Sequence, residues 1–292
     1  MKTGVANALS VTRGYWLLLR VPHALVVLFA TWIGAALAGV QEPATILGMV
    51  LSMVALFTGS VALNDCRDLR EDTVNAPFRP LVQGIISRRT AWLLGVALML
   101  SGILFASVAD PVLGALVGVM SFFSVAYSYV LKDVPLLGNF VVSLVSTSAL
   151  ACWAVVIQVG TLFWLLSAAL FCIRFGGELL KTAQDLIGDQ QAQRRTVATL
   201  WGSRPTQLFG LMALSAGVLL ACVPIKFDAD GLVYASSLAL AAILVVTGFV
   251  WFVTSKPGYS DKLVRIEQLI MVMLVIAGGA GFPDHPLPSL LP

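Results

Sequence analysis

Charge is what this chain has least of: Asp, Glu, Lys and Arg make up 11% of its 292 residues, while 59% are hydrophobic. Soluble domains carry about a quarter of their residues as charge, so a mean hydropathy of +0.93 excludes that class. Histidine is nearly absent, with only His23 and His285, which excludes a histidine-built metal site and leaves both as structural or incidental. The four cysteines, Cys66, Cys152, Cys172 and Cys222, lack paired spacing, so neither a disulfide frame nor a zinc site is expected. No low-complexity linker interrupts the chain, and the first apolar run lacks a small-residue cleavage site, so it reads as a span rather than a signal peptide. Residues 1–292 are expected to form a single membrane domain.

What is abundant is long apolar sequence. Runs fall at 15–40, 44–66, 90–109, 111–131, 136–158, 160–183, 206–225, 231–254 and 263–282. Each approaches the ~20 residues that cross the hydrocarbon core as a helix. They are too long, and too little alternating, for barrel strands. The expected fold is all-α, a polytopic membrane protein with nine transmembrane helices. Lys2, Arg13, Arg20, the arginines at 67–89, Lys132, Lys181, Arg194, Arg195, Arg204, Lys256, Lys262 and Arg265 gather on one side, and the opposite loops hold only Lys226. The positive-inside rule makes the basic side and the N-terminus cytoplasmic, with the C-terminus outside. The net charge of +3 then reflects orientation in a lipid bilayer, not nucleic acid.

Against that background the stretch VALNDCRDLREDTVNAPFRP, residues 61–80, is anomalous. At 100° per residue Asn64, Asp65, Asp68 and Asp72 share an arc of about 100° on the second helix. A second polar face, in RFGGELLKTAQDLIGDQQAQRRT, carries Arg174, Glu178, Lys181, Asp185 and Asp189, with Arg174 and Glu178 spaced to pair. DLRED and DLIGD share Asp-Leu-x-x-Asp, and arginines follow both, which suggests a duplicated half-bundle with facing acidic ends. Aspartates converging in this way repel unless a cation joins them. Mg²⁺ takes oxygen ligands and bridges carboxylates to phosphates, and Arg79 and Lys181 would complete a polyanion site. A mere membrane boundary would not need two such copies.

The same residues resemble a known family. NDCRDLREDTVNAPFRPLVQGIIS is similar to the first signature of the UbiA superfamily of intramembrane prenyltransferases, Asn-Asp-x-x-Asp-x-x-x-Asp followed by Asn-x-Pro-x-Arg-Pro. ELLKTAQDLIGD resembles its second, YSYVLKDVPLLGN its Tyr-x-x-x-x-Lys loop, and LLLRVPHALV its first-helix Arg-x-Pro. Two departures stand out: Thr182 where many members have a further aspartate, and a missing proline in RRTVATLWG.

The resemblance implies nine helices around a central cavity capped on the cytoplasmic side. It implies two Mg²⁺ ions on Asn64, Asp68, Asp72, Asp185 and Asp189, binding an isoprenoid diphosphate with Arg20, Arg79, Lys132 and Lys181. Asp68, Asp185 and Lys132 would then be catalytic. Tyr127, Phe122, Phe123 and Trp153 are the candidates to face an allylic cation. Asp65 would position or deprotonate a lipophilic acceptor, an aromatic ring or a glycerol-phosphate lipid. Two other readings stay open: a membrane terpene cyclase needing no acceptor, and a transporter or cation channel using the same carboxylates. The expected location is a bacterial or archaeal inner membrane.

Overall fold

The computed structural model describes residues 2–226, 231–254 and 261–281, and within them every regular element is helical. In chain order the α-helices are α1 (Lys2–Leu18), α2 (Val21–Ala38), α3 (Pro43–Arg67), α4 (Leu69–Asn75), α5 (Arg88–Ala109), α6 (Pro111–Tyr129), α7 (Leu137–Ala151), α8 (Thr161–Gln184), α9 (Leu186–Gln191), α10 (Val197–Trp201), α11 (Ser203–Ala221), α12 (Gly231–Thr254) and α13 (Asp261–Gly281). All nine apolar runs fall on helices. Among the described residues seven are long and apolar enough to cross a membrane, the fifth being α7 with the single turn after it. Helices α11 and α13 are not among the seven; polar residues such as Arg204 and Gln207 dilute α11, and α13 carries Lys262, Arg265 and Glu267 in its first two turns. The first run is not one helix. It breaks between α1 and α2 at Arg20, whose φ of 48° and ψ of 50° lie in the left-handed region, just before Pro22.

Helix starts are written in the sequence. Glu42 caps α3 by accepting from the Thr45 N–H at 2.5 Å, Ser87 caps α5 through the Thr90 N–H at 3.0 Å, and Asp110 caps α6 ahead of Pro111. Polar side chains inside spans satisfy themselves locally, as Thr58, Ser143 and Thr147 do by donating to carbonyls one turn back. The outward faces carry large exposed apolar side chains, including Leu100, Leu104, Val108, Leu219 and Val253, an arrangement that suits hydrocarbon and not water.

The long helices close a ring in which α2, α3, α5, α6, α7, α8, α11, α12 and α13 each touch the next, and α13 returns to α2. Within the ring two halves repeat. Gly59 of α3 lies so close to Gly95 of α5 that a Cβ on Gly59 would come within 2.7 Å of the Gly95 carbonyl oxygen. Gly176 of α8 meets Gly210 of α11 in the same way, at 2.6 Å. Such glycines let membrane helices pack backbone to backbone. Gly59 stands as far before Asp68 as Gly176 stands before Asp185. Asp68 ends α3 and starts α4 with φ −84° and ψ 8°; Asp185 ends α8 and starts α9 with φ −80° and ψ 1°. The two Asp-Leu-x-x-Asp stretches therefore share a local geometry: a long helix packed through a glycine on its neighbour that ends at an aspartate and restarts as a short helix.

Candidate active site

The repeat brings the two acidic helix ends together. Short helices α4 and α9 touch, and the Asn75 side chain ties them. Its amide Nδ2 donates to the Asp185 carbonyl at 3.2 Å, and its Oδ1 accepts from the Gly188 N–H at 3.1 Å. Gly188 leaves the room, since a Cβ there would collide with the Asn75 side chain. Between the ends lies a polar cleft that opens to solvent. Of the residues singled out from the sequence, Asn64, Asp68, Asp72, Arg79, Tyr127, Lys132, Lys181, Asp185 and Asp189 all line it.

Charge is distributed unevenly across the cleft. On the α3–α4 side every carboxylate has a cation. Asp68 accepts from Lys132 and from Asn64 Nδ2 (2.7 Å) on Oδ2, and from Arg194 Nη2 (3.2 Å) on Oδ1. Asp72 Oδ2 accepts from Arg79 Nη1 at 2.5 Å. On the α8–α9 side, among the described residues, no Lys or Arg forms an ion pair with Asp185 or Asp189. Ionisation follows the same division. Burial opposes the charge of Asp68, yet Lys132, Arg194 and Arg79 outweigh it and hold the carboxyl below its usual range. Burial pushes Asp185 up, and Asp189 up to about 6. It pushes Asp72 to about 6 as well, despite Arg79, because Asp65 and Asp68 add to the repulsion. A carboxylate held above its ordinary pKa is one that a cation would stabilise.

The donor set fits a hard divalent cation, being carboxylates and an amide with no thiol or imidazole. Among the described residues, however, no three acidic, His or Cys side chains come close enough to hold an ion by themselves. Mg²⁺ binds through one or two carboxylates and draws its remaining oxygens from water and substrate phosphate. Arg79, Lys132 and Lys181 also line the cleft, cations of the kind that pair with phosphate.

Other expectations are redistributed. Asp65 and Arg20 do not line the cleft. Asp65 is buried behind its wall, where Oδ1 accepts from Arg20 Nη2 and Arg79 Nη1, both at 2.9 Å. Phe122, a candidate to face a cation, is 68% exposed on the outer surface, with Phe123 packed edge-on to it. Trp153 is fully buried and donates its indole N–H to the Thr31 carbonyl at 2.8 Å, fixing α2 against the end of α7. Neither of those two lines the cleft; among the four aromatic candidates Tyr127 does. Thr182, in the aspartate's place, lines the cleft but spends its hydroxyl on the Glu178 carbonyl and on Asn139. All four cysteines are free. His23 lies 3.4 Å from Gln268, and His285 falls outside the described residues with the C-terminal stretch.

Three residues at or beside the cleft escape the sequence pattern. Glu71 lines the cleft although it is off the Asp68–Asp72 register. Glu267 joins the Arg174–Glu178 pair from α13, taking Arg174 Nη1 at 2.5 Å while Glu178 takes Nη2 at 2.8 Å. Arg194, noticed only as one of several trailing arginines, reaches into the first acidic end. Spacing registers only the Arg67–Glu71 pair, at i,i+4; the pairings of Arg194 and Glu267 span separate helices.

Comparison with known proteins fits this geometry. The family model described as the UbiA prenyltransferase family matches residues 26–271. The chain belongs to that family. It is 32% identical over 232 residues to the digeranylgeranylglyceryl phosphate synthase of Methanoculleus marisnigri, covering 78% of this chain and 82% of the relative. Its fold is similar to the apo structure of a UbiA homologue from Aeropyrum pernix, with a TM-score of 0.70, 21% identity, and 89% and 96% of the two chains covered. It is also similar to a UbiA homologue from Archaeoglobus fulgidus bound to GPP and Mg²⁺, with a TM-score of 0.66, 18% identity, and 93% and 100% covered.

Proposed function

We propose that this protein is a Mg²⁺-dependent intramembrane prenyltransferase, which ionises an isoprenoid diphosphate and transfers its prenyl group to a lipophilic acceptor. The observation that carries this is the cleft itself: two acidic helix ends, one whose aspartates form no ion pair among the described residues, with three cationic side chains suited to phosphate along the same cleft. Asn64, Asp68, Asp72, Asp185 and Asp189 would hold the metal. Bound Mg²⁺ would neutralise the leaving diphosphate and so ease breaking of the allylic C–O bond. Lys132 and Arg79 now neutralise Asp68 and Asp72; with substrate present both would turn to the phosphate oxygens, freeing carboxylate oxygens as they do so. Asp65 holds Arg79 and Arg20 in register, and Tyr127 presents the aromatic face to the allylic carbon.

The acceptor reading follows the relatives. The Methanoculleus protein is a digeranylgeranylglyceryl phosphate synthase, which favours a glycerol-phosphate lipid over an aromatic ring. The whole chain would work as one domain, with α11 and α13 completing nine spans around a central cavity whose capped, basic end is cytoplasmic. A reporter placed near residue 192 would then lie inside and one after Pro292 outside.

The test is a product assay. Purified protein with Mg²⁺ and isoprenoid diphosphates of several lengths is expected to release diphosphate and form a prenylated lipid only when a glycerol-phosphate acceptor is added. A cyclised hydrocarbon formed without acceptor would mean a terpene cyclase, and no diphosphate release with any substrate would contradict the enzyme reading.

A further inference from the structure

Arg194 makes three ion pairs, two at the first acidic end and one with the loop before α7. Its Nε donates to Glu71 Oε1 at 2.5 Å, its Nη1 to Asp133 Oδ1 at 3.1 Å, and its Nη2 to Asp68 Oδ1 at 3.2 Å. Glu71 lies on α4, Asp68 at the α3–α4 joint, and Asp133 in the loop between α6 and α7, immediately after Lys132. Arg194 itself follows Gln193, whose φ of 57° is left-handed for a residue with a side chain. That turn lets the Arg194 N–H return to the Asp189 carbonyl at 2.9 Å. One arginine thus connects both acidic ends and the lysine-bearing loop. Its side chain is 3% exposed, against 20% for Lys132 and 18% for Arg79. The other two cations border the cleft and can change partners; Arg194 does not line it.

We infer that Arg194 is a positioning residue: it fixes one oxygen of Asp68 so that the other faces the cleft, and through Asp133 it fixes the loop that presents Lys132. This rests on the proposed metal–diphosphate reading of the cleft. The chemistry requires arginine specifically. Its planar fork offers separate donors along three directions, whereas a lysine ammonium is a single point on a flexible stem. Charge alone would be conserved by Arg194→Lys, and the geometry would not.

The experiment compares wild type, Arg194→Lys and Asp133→Asn, each purified in detergent. It measures Mn²⁺ binding by electron paramagnetic resonance with a non-hydrolysable isoprenyl diphosphate present, kcat and KM for the diphosphate, and the melting temperature. Arg194→Lys is expected to weaken Mn²⁺ binding about ten- to hundredfold, the range spanned by losing a charge-assisted hydrogen bond. Asp133→Asn, at a side chain 41% exposed, is expected to raise KM for the diphosphate several-fold through Lys132 and to leave Mn²⁺ binding unchanged. Wild-type Mn²⁺ affinity in a folded Arg194→Lys would overturn the role. So would a wild-type KM in Asp133→Asn, or losses that merely follow the melting temperature in both variants. A wild-type protein that binds neither Mn²⁺ nor the diphosphate would overturn the reading of the cleft and this inference with it, which sets that failure apart from failure in the variants alone.

Discussion

The side-chain oxygen of Asn75 accepts a hydrogen bond from the main-chain N–H of Gly188 at 3.1 Å, across the seam between the two halves of the bundle. With the Nδ2 bond to the Asp185 carbonyl, it sets how far apart the two acidic ends stand. Asn75→Ala should therefore reduce kcat/KM about ten- to hundredfold, the equivalent of about 1–3 kcal/mol, while shifting the melting temperature little. Gly188→Ala should do the same by pushing Asn75 aside. Wild-type kinetics in both variants would show that the spacing is held elsewhere.

Arg79 tests whether the cleft binds phosphate or is merely polar. Arg79→Ala should weaken binding of a non-hydrolysable isoprenoid diphosphate by about 1–3 kcal/mol, and leave binding of the matching prenyl alcohol nearly unchanged. Equal losses for the two ligands would mean that Arg79 shapes the loop through Asp65 and Asp72 without reaching phosphate.

The Arg174–Glu178–Glu267 triad joins α8 to α13 inside the bundle. Arg174→Met leaves buried Glu267 without its cation and Glu178 with Lys181 at 3.8 Å, and removing one partner of a buried pair costs about 3–5 kcal/mol. Unfolding of the detergent-solubilised protein should show that loss, and Arg174→Met combined with Glu267→Leu should recover part of it. An additive, further loss in the double variant would show that Glu267 is stabilised by something other than Arg174.

Acidity gives a metal-free signature. Asp72 and Asp189 are pushed up to about 6 from an ordinary 3.8, so between those values the folded protein holds protons that the unfolded chain has lost. Their stabilising contribution is present below the lower value and disappears as pH rises through the higher one. Without Mg²⁺ the melting temperature should therefore rise on acidification from about pH 7 to about pH 5, and saturating Mg²⁺ should flatten that rise by favouring the carboxylates. A melting temperature that falls on acidification without Mg²⁺ would contradict the raised values.

Much of this was legible in the sequence because it is local. Helical spacing alone puts Asn64, Asp68 and Asp72 on one face and Asp185 and Asp189 on another, and hydropathy locates the long helices. The residues that carry the site across helices were not legible. Arg194 meets Glu71 and Asp133 from distant parts of the chain, and Glu267 meets Arg174 from α13, so no period or spacing links them. Phe122 and Trp153, candidates to face an allylic cation, do not line the cleft, for a related reason: sequence does not say which face of a membrane helix meets lipid and which meets a neighbour. The split of the first run at Arg20 is a backbone event that hydropathy does not register.

The most direct measurement is Mg²⁺-dependent binding of a non-hydrolysable isoprenoid diphosphate to wild type, Asp68→Ala and Asp185→Ala. If the two acidic ends form one site, each single variant should lose the Mg²⁺-dependent part of binding while remaining folded, and the double variant should lose no more than either alone. Wild-type, Mg²⁺-dependent binding in either single variant would contradict a shared site.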